Sequence, residues 1–193
     1  MASKMLEVPC ESIVALGGNL PWRQETAAVT LRQAIRELGQ RGATIRSVSR
    51  FYSSASVPAG AGPDYVNAAI AVSSTLDAPG LLALLHEIER QFDRERETRW
   101  GARTLDLDLI DHRRQVRPDA DTQNSWMNLE PALRHRQAPG ELILPHPRLQ
   151  DRAFVLLPLL DISPDWVHPV LNLSVRQMLN ALAEGEIDAV RPI

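Results

Sequence analysis

The chain has 193 residues, 44% hydrophobic and 23% charged, with a formal net charge of −3. This length suits one well-cored domain and is short for two of ordinary size, and the composition argues against a disordered chain or a coiled coil. The slightly acidic balance gives no global reason to expect nucleic acid or an anionic membrane as partner. The single cysteine, Cys10, excludes an internal disulfide and fits a reducing compartment. No run of about 18 apolar residues and no signal pattern is found, so the expectation is a soluble, cytoplasmic protein. Lys4 is the only lysine, so arginine content reflects general usage and anion sites have to be argued from position.

Residues 1–10 read as a tail. Ser12 to Leu16 is a compact apolar run closed by Gly17-Gly18, a buried strand with a glycine turn. Ala28, Leu31, Ile35 and Leu38 recur at helical spacing between Glu25 and Leu38, with Gly39 and Gly42 as stops. Thr44 to Tyr52 is β-branched and aromatic and reads as one strand. Ser53 to Asp64 holds Pro58, Gly60, Gly62 and Pro63 and reads as a loop long enough to suggest function. Tyr65 to Ser74 is a strand with Val66, Ala68, Ile70 and Val72 on one face and Tyr65 and Asn67 on the other. Asp77 caps a helix with Pro79 in its first turn and a buried face of Leu81, Leu84, Leu85, Ile88 and Phe92. A charged stretch, 94–102, precedes a strand from Leu105 to Ile110.

That order, β-α-β-β-α-β, predicts an α+β fold, the ferredoxin-like plait, with an antiparallel sheet, helices on one face and the other face free for a site. Residues 113–141 read as a polar insertion with a short helix near 128–134. An apolar run from Phe154 to Leu160 and a last helix capped by Ser174 complete a single domain spanning 1–193.

The chemistry concentrates in Arg99-Trp100-Gly101-Ala102-Arg103-Thr104-Leu105-Asp106-Leu107-Asp108. Strand alternation turns the leucines one way and Asp106 and Asp108 the other, with Cα atoms roughly 7 Å apart, close enough to share divalent cations. The two aspartates also suit the protection of an exposed edge strand, but arginines at 94, 96, 99 and 103 favour a site where metal-binding carboxylates adjoin phosphate-binding guanidiniums, the chemistry of phosphoryl transfer. Arg94 and Arg96 equally suit a solvated helix end. Trp100 is either a core anchor or a cover for a ligand ring. Tyr65 with Asn67 offers an aromatic plate and an amide for a flat heterocycle, or packs as structure. His146, between two prolines, is a rigid turn or a phosphate donor. His112, His135 and His168 read as surface residues, and His86 on the second helix stays undecided.

The motifs A-L-G-G-N-L, P-D-Y-V-N-A-A, R-W-G-A-R-T-L-D-L-D-L-I and L-P-H-P-R-L-Q-D-R-A-F-V-L-L-P-L, in order over roughly residues 12–165, resemble the 6-hydroxymethyl-7,8-dihydropterin pyrophosphokinases of folate biosynthesis. The resemblance implies diphosphate transfer from ATP to the hydroxymethyl group of the dihydropterin, giving AMP and a pterin diphosphate passed to dihydropteroate synthase. It implies two Mg2+ ions on Asp106 and Asp108. It places the pterin against Ser54, Ala55, Val57, Tyr65, Asn67, Trp100 and Phe154, and the nucleotide against His86, Arg96, Arg99, Trp100, Arg103, Ile110, His146 and Arg152. Arg94, Arg96 and Arg103 join the aspartates in catalysis, and a monomer is expected. Gly18 stands where the family usually has serine, and Pro147 where an aromatic is common. The first alternative is an inactive or substrate-shifted pterin- or nucleotide-binding relative, and the competing class is an RNA-binding plait. It needs exposed aromatics on the central strands, where the first strand offers only Ile13, Val14, Ala15 and Leu16.

Overall fold

In a computed structural model of the chain, described for residues 10–56, 62–93, 103–130, 133 and 137–193, hydrophobic alternation builds the expected plait and adds to it. Strand β1 (Cys10–Gly18) is its centre, paired antiparallel with β4 (Tyr65–Ser74) on one side and β5 (Asp106–His112) on the other. The glycine pair expected to turn the chain instead continues the strand, with Gly17 opposite Asn67 and Gly18 opposite Val66. A Cβ on Gly18 would stand 2.6 Å from the Thr104 carbonyl oxygen, so glycine is required by backbone approach. The strand expected over Thr44 to Tyr52 is two, β2 (Thr44–Val48) and β3 (Tyr52–Ser54), both paired with β4. Between them the Ser49 hydroxyl accepts the Ala69 N–H while Ser49 N–H donates to the Ala69 carbonyl, which interrupts the ladder. A short C-terminal strand, β6 (Val190–Pro192), pairs with β3, giving the order β5-β1-β4-β3-β6 with β2 on β4.

Helices α1 (Ala27–Gln40) and α2 (Ala78–Gln91) cover one face through Leu31, Ala34, Leu38, Leu81, Leu85 and Ile88, packed on Val14, Leu16, Ile70, Leu107 and Leu109. The Asp77 side chain accepts the Gly80 N–H and caps α2 as expected. The other face is not free. Helix α4 (Ala153–Ile162), apolar nearly all round, lays Val155, Leu156 and Leu159 on Ile13, Ala15 and Ile110, backed by α5 (Val175–Asn180), where Ser174 and Gln177 form a capping box. A three-residue turn then leads through α6 (Glu184–Asp188) to β6. The expected open face is therefore confined to the end of the sheet beyond α4.

The 113–141 segment is tied to the body by an isolated bridge between Arg117 and Leu144 and carries α3 (Ala120–Met127), earlier than the helix expected near 128–134, part of which lies outside the described residues. Only Gln123 and Met127 of α3 are buried, too thin an apolar stripe for periodicity to reveal.

His112 and His168, expected at the surface, are 1% and 0% exposed. Ser12 Oγ pairs with His112 Nδ1 at 2.9 Å, and His168 Nδ1 accepts the Val170 and Leu171 N–H groups. Burial lowers His168 from 6.5 to about 4. The unfolded chain takes up a proton that the folded one refuses, so this contribution is complete above pH 6.5 and is lost as pH falls toward 4, on the order of 3 kcal/mol. His168→Asn keeps an acceptor for the two N–H groups without a titrating ring. Its melting temperature is expected to fall less than that of the parent between pH 6.5 and 4, as read by circular dichroism; parallel curves would count against the assignment.

Candidate active site

Strand β5 divides its side chains as its sequence demands. Leu105, just before it, and Leu107 and Leu109 within it are 0%, 2% and 3% exposed in the core, which sends Asp106 and Asp108 to the opposite, half-open face. A group that sequence reasoning missed fixes the strand: Glu89 of α2, 1% exposed, accepts the Leu107 N–H at 2.7 Å. A carboxylate so deep in a helix–sheet interface reads in sequence as one more polar residue of a charged helix, so only the fold reveals it.

Register across the sheet builds the rest. Tyr52 lies opposite Asn67, Asn67 opposite Gly17 and Gly17 opposite Asp106, so these residues form one lateral row on one face. Gly17 is its open floor: a Cβ there would lie 3.7 Å from Asn67 Oδ1 and 4.0 Å from Asp106 Cβ. The Asn67 amide donates to Ser54 Oγ at 2.9 Å, which leaves its carbonyl on the Gly17 side. Ser54 and Tyr65 are also paired across β3 and β4, while Ala55 follows Ser54 and is exposed.

Cations close one end of the row. Arg103 forms a salt bridge to Asp106 through Nη1 and Oδ2. Its backbone is fixed by Asn19, whose Oδ1 accepts the Arg103 N–H at 2.8 Å, while the Asn19 amide donates to the Pro63 carbonyl at 3.1 Å. Tyr65 stands near both charges: burial raises its phenol above the ordinary value, with Arg103 pulling it down and Asp106 pushing it up. Burial and the Arg152 and Arg148 guanidiniums push His146 down to about 3, against the opposing influence of Asp106 and Asp151. The His146 ring is therefore neutral at physiological pH. Its Nδ1 accepts the Arg148 N–H at 3.2 Å, which places the ring proton on Nε2 as a donor. The Arg152 guanidinium lies 5.6 Å from the Phe154 ring centre, and Phe154 is 37% exposed at the start of α4.

The structure thus gathers Asp106, Arg103, Tyr65 and His146, with Asp108 on β5, Asn67 on β4 and Ser54 on β3 nearby and Arg152 beside His146. Two sequence-predicted residues lie elsewhere. His86 lines a pocket of about 410 Å³ on the outer side of α2, with Leu82, Arg117, Pro118 and Leu142. The Ile110 side chain, expected against the nucleotide, is 1% exposed in the second core because α4 covers that part of β5. Val57, Arg94, Arg96, Arg99 and Trp100 lie outside the described residues. Among the described residues nearby, Thr104 Oγ1 donates to the Phe92 carbonyl at 2.7 Å and Trp22 Nε1 donates to Asp93 at 2.8 Å.

Among the described residues no three acidic, histidine or cysteine side chains converge to cage a metal. Two carboxylates on one strand face are instead the donor set that suits Mg2+, which keeps waters and takes its remaining ligands from substrate phosphates. Asp106 and Asp108 fit that pattern.

A half-open plait face carrying a carboxylate pair, a guanidinium and a neutral imidazole donor places the protein in the class of small α+β transferases that handle phosphoryl groups. Residues 13–164 match the model of one particular family, described as 7,8-dihydro-6-hydroxymethylpterin-pyrophosphokinase, and the chain belongs to it. The chain is 35% identical over 183 residues, 94% of its length and 80% of the relative's, to a 2-amino-4-hydroxy-6-hydroxymethyldihydropteridine pyrophosphokinase of Synechocystis. It is 35% identical to one of Bacillus subtilis, over 77% of this chain and 75% of that one. Among solved structures, a Plasmodium falciparum HPPK-DHPS triple mutant with SDX-DHP aligns with TM-score 0.64 and 14% identity. That alignment covers 92% of this chain but 45% of that one, and it supports the fold. No helix among the described residues is long and apolar enough to cross a membrane.

Proposed function

We propose that this chain transfers the diphosphate of ATP to the hydroxymethyl group of 6-hydroxymethyl-7,8-dihydropterin, releasing AMP and a pterin diphosphate for dihydropteroate synthase. The observation that carries the reading is the row Asn67–Gly17–Asp106 beside Arg103, in a chain whose residues 13–164 match the pyrophosphokinase family. The Asn67 carbonyl and the Ser54 hydroxyl suit the amide and amidine edge of the pterin at one end of the row. Asp106 suits its hydroxymethyl group at the other, with Tyr65 and Phe154 as aromatic cover. Ala55, Val57 and Trp100 complete the pterin set.

Arg103, His146 and Arg152 hold phosphate oxygens on this reading, joined by Arg94 and Arg96, with Arg99 and Trp100 on the nucleotide side. His146 acts through Nε2–H as a neutral donor, which adds no cation to repel Arg148 and Arg152. Two Mg2+ ions on Asp106 and Asp108 would offset phosphate charge and acidify the attacking hydroxyl. The protein residues contribute alignment: Asp106 orients the hydroxyl toward the β-phosphorus, and the guanidiniums stabilise charge as the α–β bridge breaks. On this reading the enzyme acts as a monomer in the cytoplasm, a reducing compartment that suits its lone cysteine.

The test is AMP formation from ATP. With Mg2+ and the pterin, AMP is expected in equal amount to the pterin diphosphate; without the pterin, none. EDTA in excess stops the reaction and added Mg2+ restores it. AMP released at the same rate without pterin would overturn the substrate assignment, and full activity in EDTA would overturn the metal.

A further inference from the structure

The C-terminal strand β6 is absent from every motif that suggested function, yet it lies against the proposed pterin site. Val190 is opposite Ser54, Arg191 opposite Ser53 and Pro192 opposite Tyr52. Beyond the strand, the Ile193 N–H donates to the Phe51 carbonyl at 2.9 Å. In an antiparallel ladder hydrogen-bonded pairs alternate, so Arg191–Ser53 is the next such pair and Pro192 falls where its missing N–H costs nothing. Strand β3, only three residues long, thereby gains a second neighbour besides β4, whose Asn67 and Tyr65 face Tyr52 and Ser54.

The packing beneath joins the two walls of the slot. Val190, Tyr52 and Ala153 are 8%, 2% and 5% exposed and form a small buried cluster that meets the second core only through the partly buried Leu157 and Leu182. Ala153 is the first residue of α4, between Arg152 and Phe154. One side of this cluster therefore carries Ser54, bonded to Asn67, and the other carries Phe154 and Arg152. A second tie acts lower on β3, where Asp161 near the end of α4 accepts from Arg50 at 2.7 Å and from the Tyr52 hydroxyl at 2.9 Å. Val190 is the contact at the upper end, nearest Ser54.

We propose that Val190 is a positioning residue for the pterin: through β6 it holds β3 and the start of α4 at the separation that fits the flat ring. The proposal rests on the function proposed above. It accounts for a three-residue strand being zipped on both edges, and it assigns to the last residues of the chain a part in substrate recognition, with no contact to phosphate or metal.

The test uses the full-length protein. Val190→Ala shortens the side chain and leaves both main cores intact, Val190→Ile retains the branched contact, and Arg191→Pro removes an N–H from the ladder. The KM for hydroxymethyldihydropterin is expected to rise about fivefold or more in Val190→Ala and in Arg191→Pro, with the KM for ATP and kcat within about twofold of the parent and Val190→Ile close to the parent. Each variant is assayed well below its own melting temperature, so that loss of folded protein, which lowers kcat alone, is separated from a looser slot. An unchanged pterin KM in both disruptive variants, or a rise in the ATP KM equal to that for pterin, overturns the proposal. A parent enzyme that forms no pterin-dependent AMP overturns the functional reading instead, so the two failures are distinguishable.

Discussion

Replacing Asp106 or Asp108 by alanine is expected to lower kcat by at least ~100-fold, the scale of losing a principal stabiliser of transition-state charge. Both side chains project from β5 while the alternating Leu105, Leu107 and Leu109 fill the core, so truncation removes charge and leaves packing alone. The two variants should differ in a second respect. Asp106 is bridged to Arg103, so its loss also removes that salt bridge, whereas Asp108 has no such tie among the salt bridges of the described residues. Arg103 near Tyr65 then loses one of the ties that orient it, so Asp106→Ala should also disturb ligand affinity more than Asp108→Ala. Isosteric Asp106→Asn and Asp108→Asn controls keep the volume and should lose activity to a similar extent. Steady-state kinetics with circular dichroism on the same samples decides the matter: near-normal turnover in either folded alanine variant is incompatible with the site.

The second large effect is expected from neighbouring glycines that fail for different reasons. Gly17→Val places a branched side chain on the floor between Asn67 and Asp106, where even a Cβ would make contacts of 3.7 and 4.0 Å. Valine is a good strand residue, so stability should change little, while the slot loses its depth. The pterin KM is expected to rise ~10-fold or more, a cost of the order of an overpacked cavity. Gly18→Ala drives its Cβ to 2.6 Å from the Thr104 carbonyl oxygen, and that oxygen belongs to backbone that cannot swing aside. It should cost about 1–3 kcal/mol of stability, seen as an earlier denaturant midpoint. Equal thermal destabilisation in the two variants, with no change in pterin KM for Gly17→Val, would remove Gly17 from the site.

Much of this was legible in the sequence because alternation and spacing carry it directly. The Tyr65–Ser74 strand has the expected bounds, Asp77 caps its helix, and the Leu105–Leu109 alternation separates carboxylates from core. What escaped was information held between segments. The Gly17-Gly18 pair looks like a turn until register places Asn67 and Asp106 on its two flanks. Ser49 breaks a β-branched run because its hydroxyl substitutes for a ladder partner, which composition does not encode. Glu89 looks like any acid on a polar helix, and β6 contains a proline that lowers any strand expectation. The apolar run of α4 announced burial but not the face it would cover, and that face decides why Ile110 is core while Asp106 and Asp108 are not.

The register of β5 against β1 shifts between Ile13 and Val14, with Leu109 opposite Val14 and Asp111 opposite Ile13. On one side of that irregularity lie Asp106 and Asp108; on the other lie Asp111 and His112, buried at 4% and 1%. Burial raises the Asp111 carboxyl above its ordinary value even though the Arg114 N–H donates to it. One strand therefore carries a site-facing stretch and a buried structural stretch on the two sides of the bulge, and variants that combine one change from each half should behave additively.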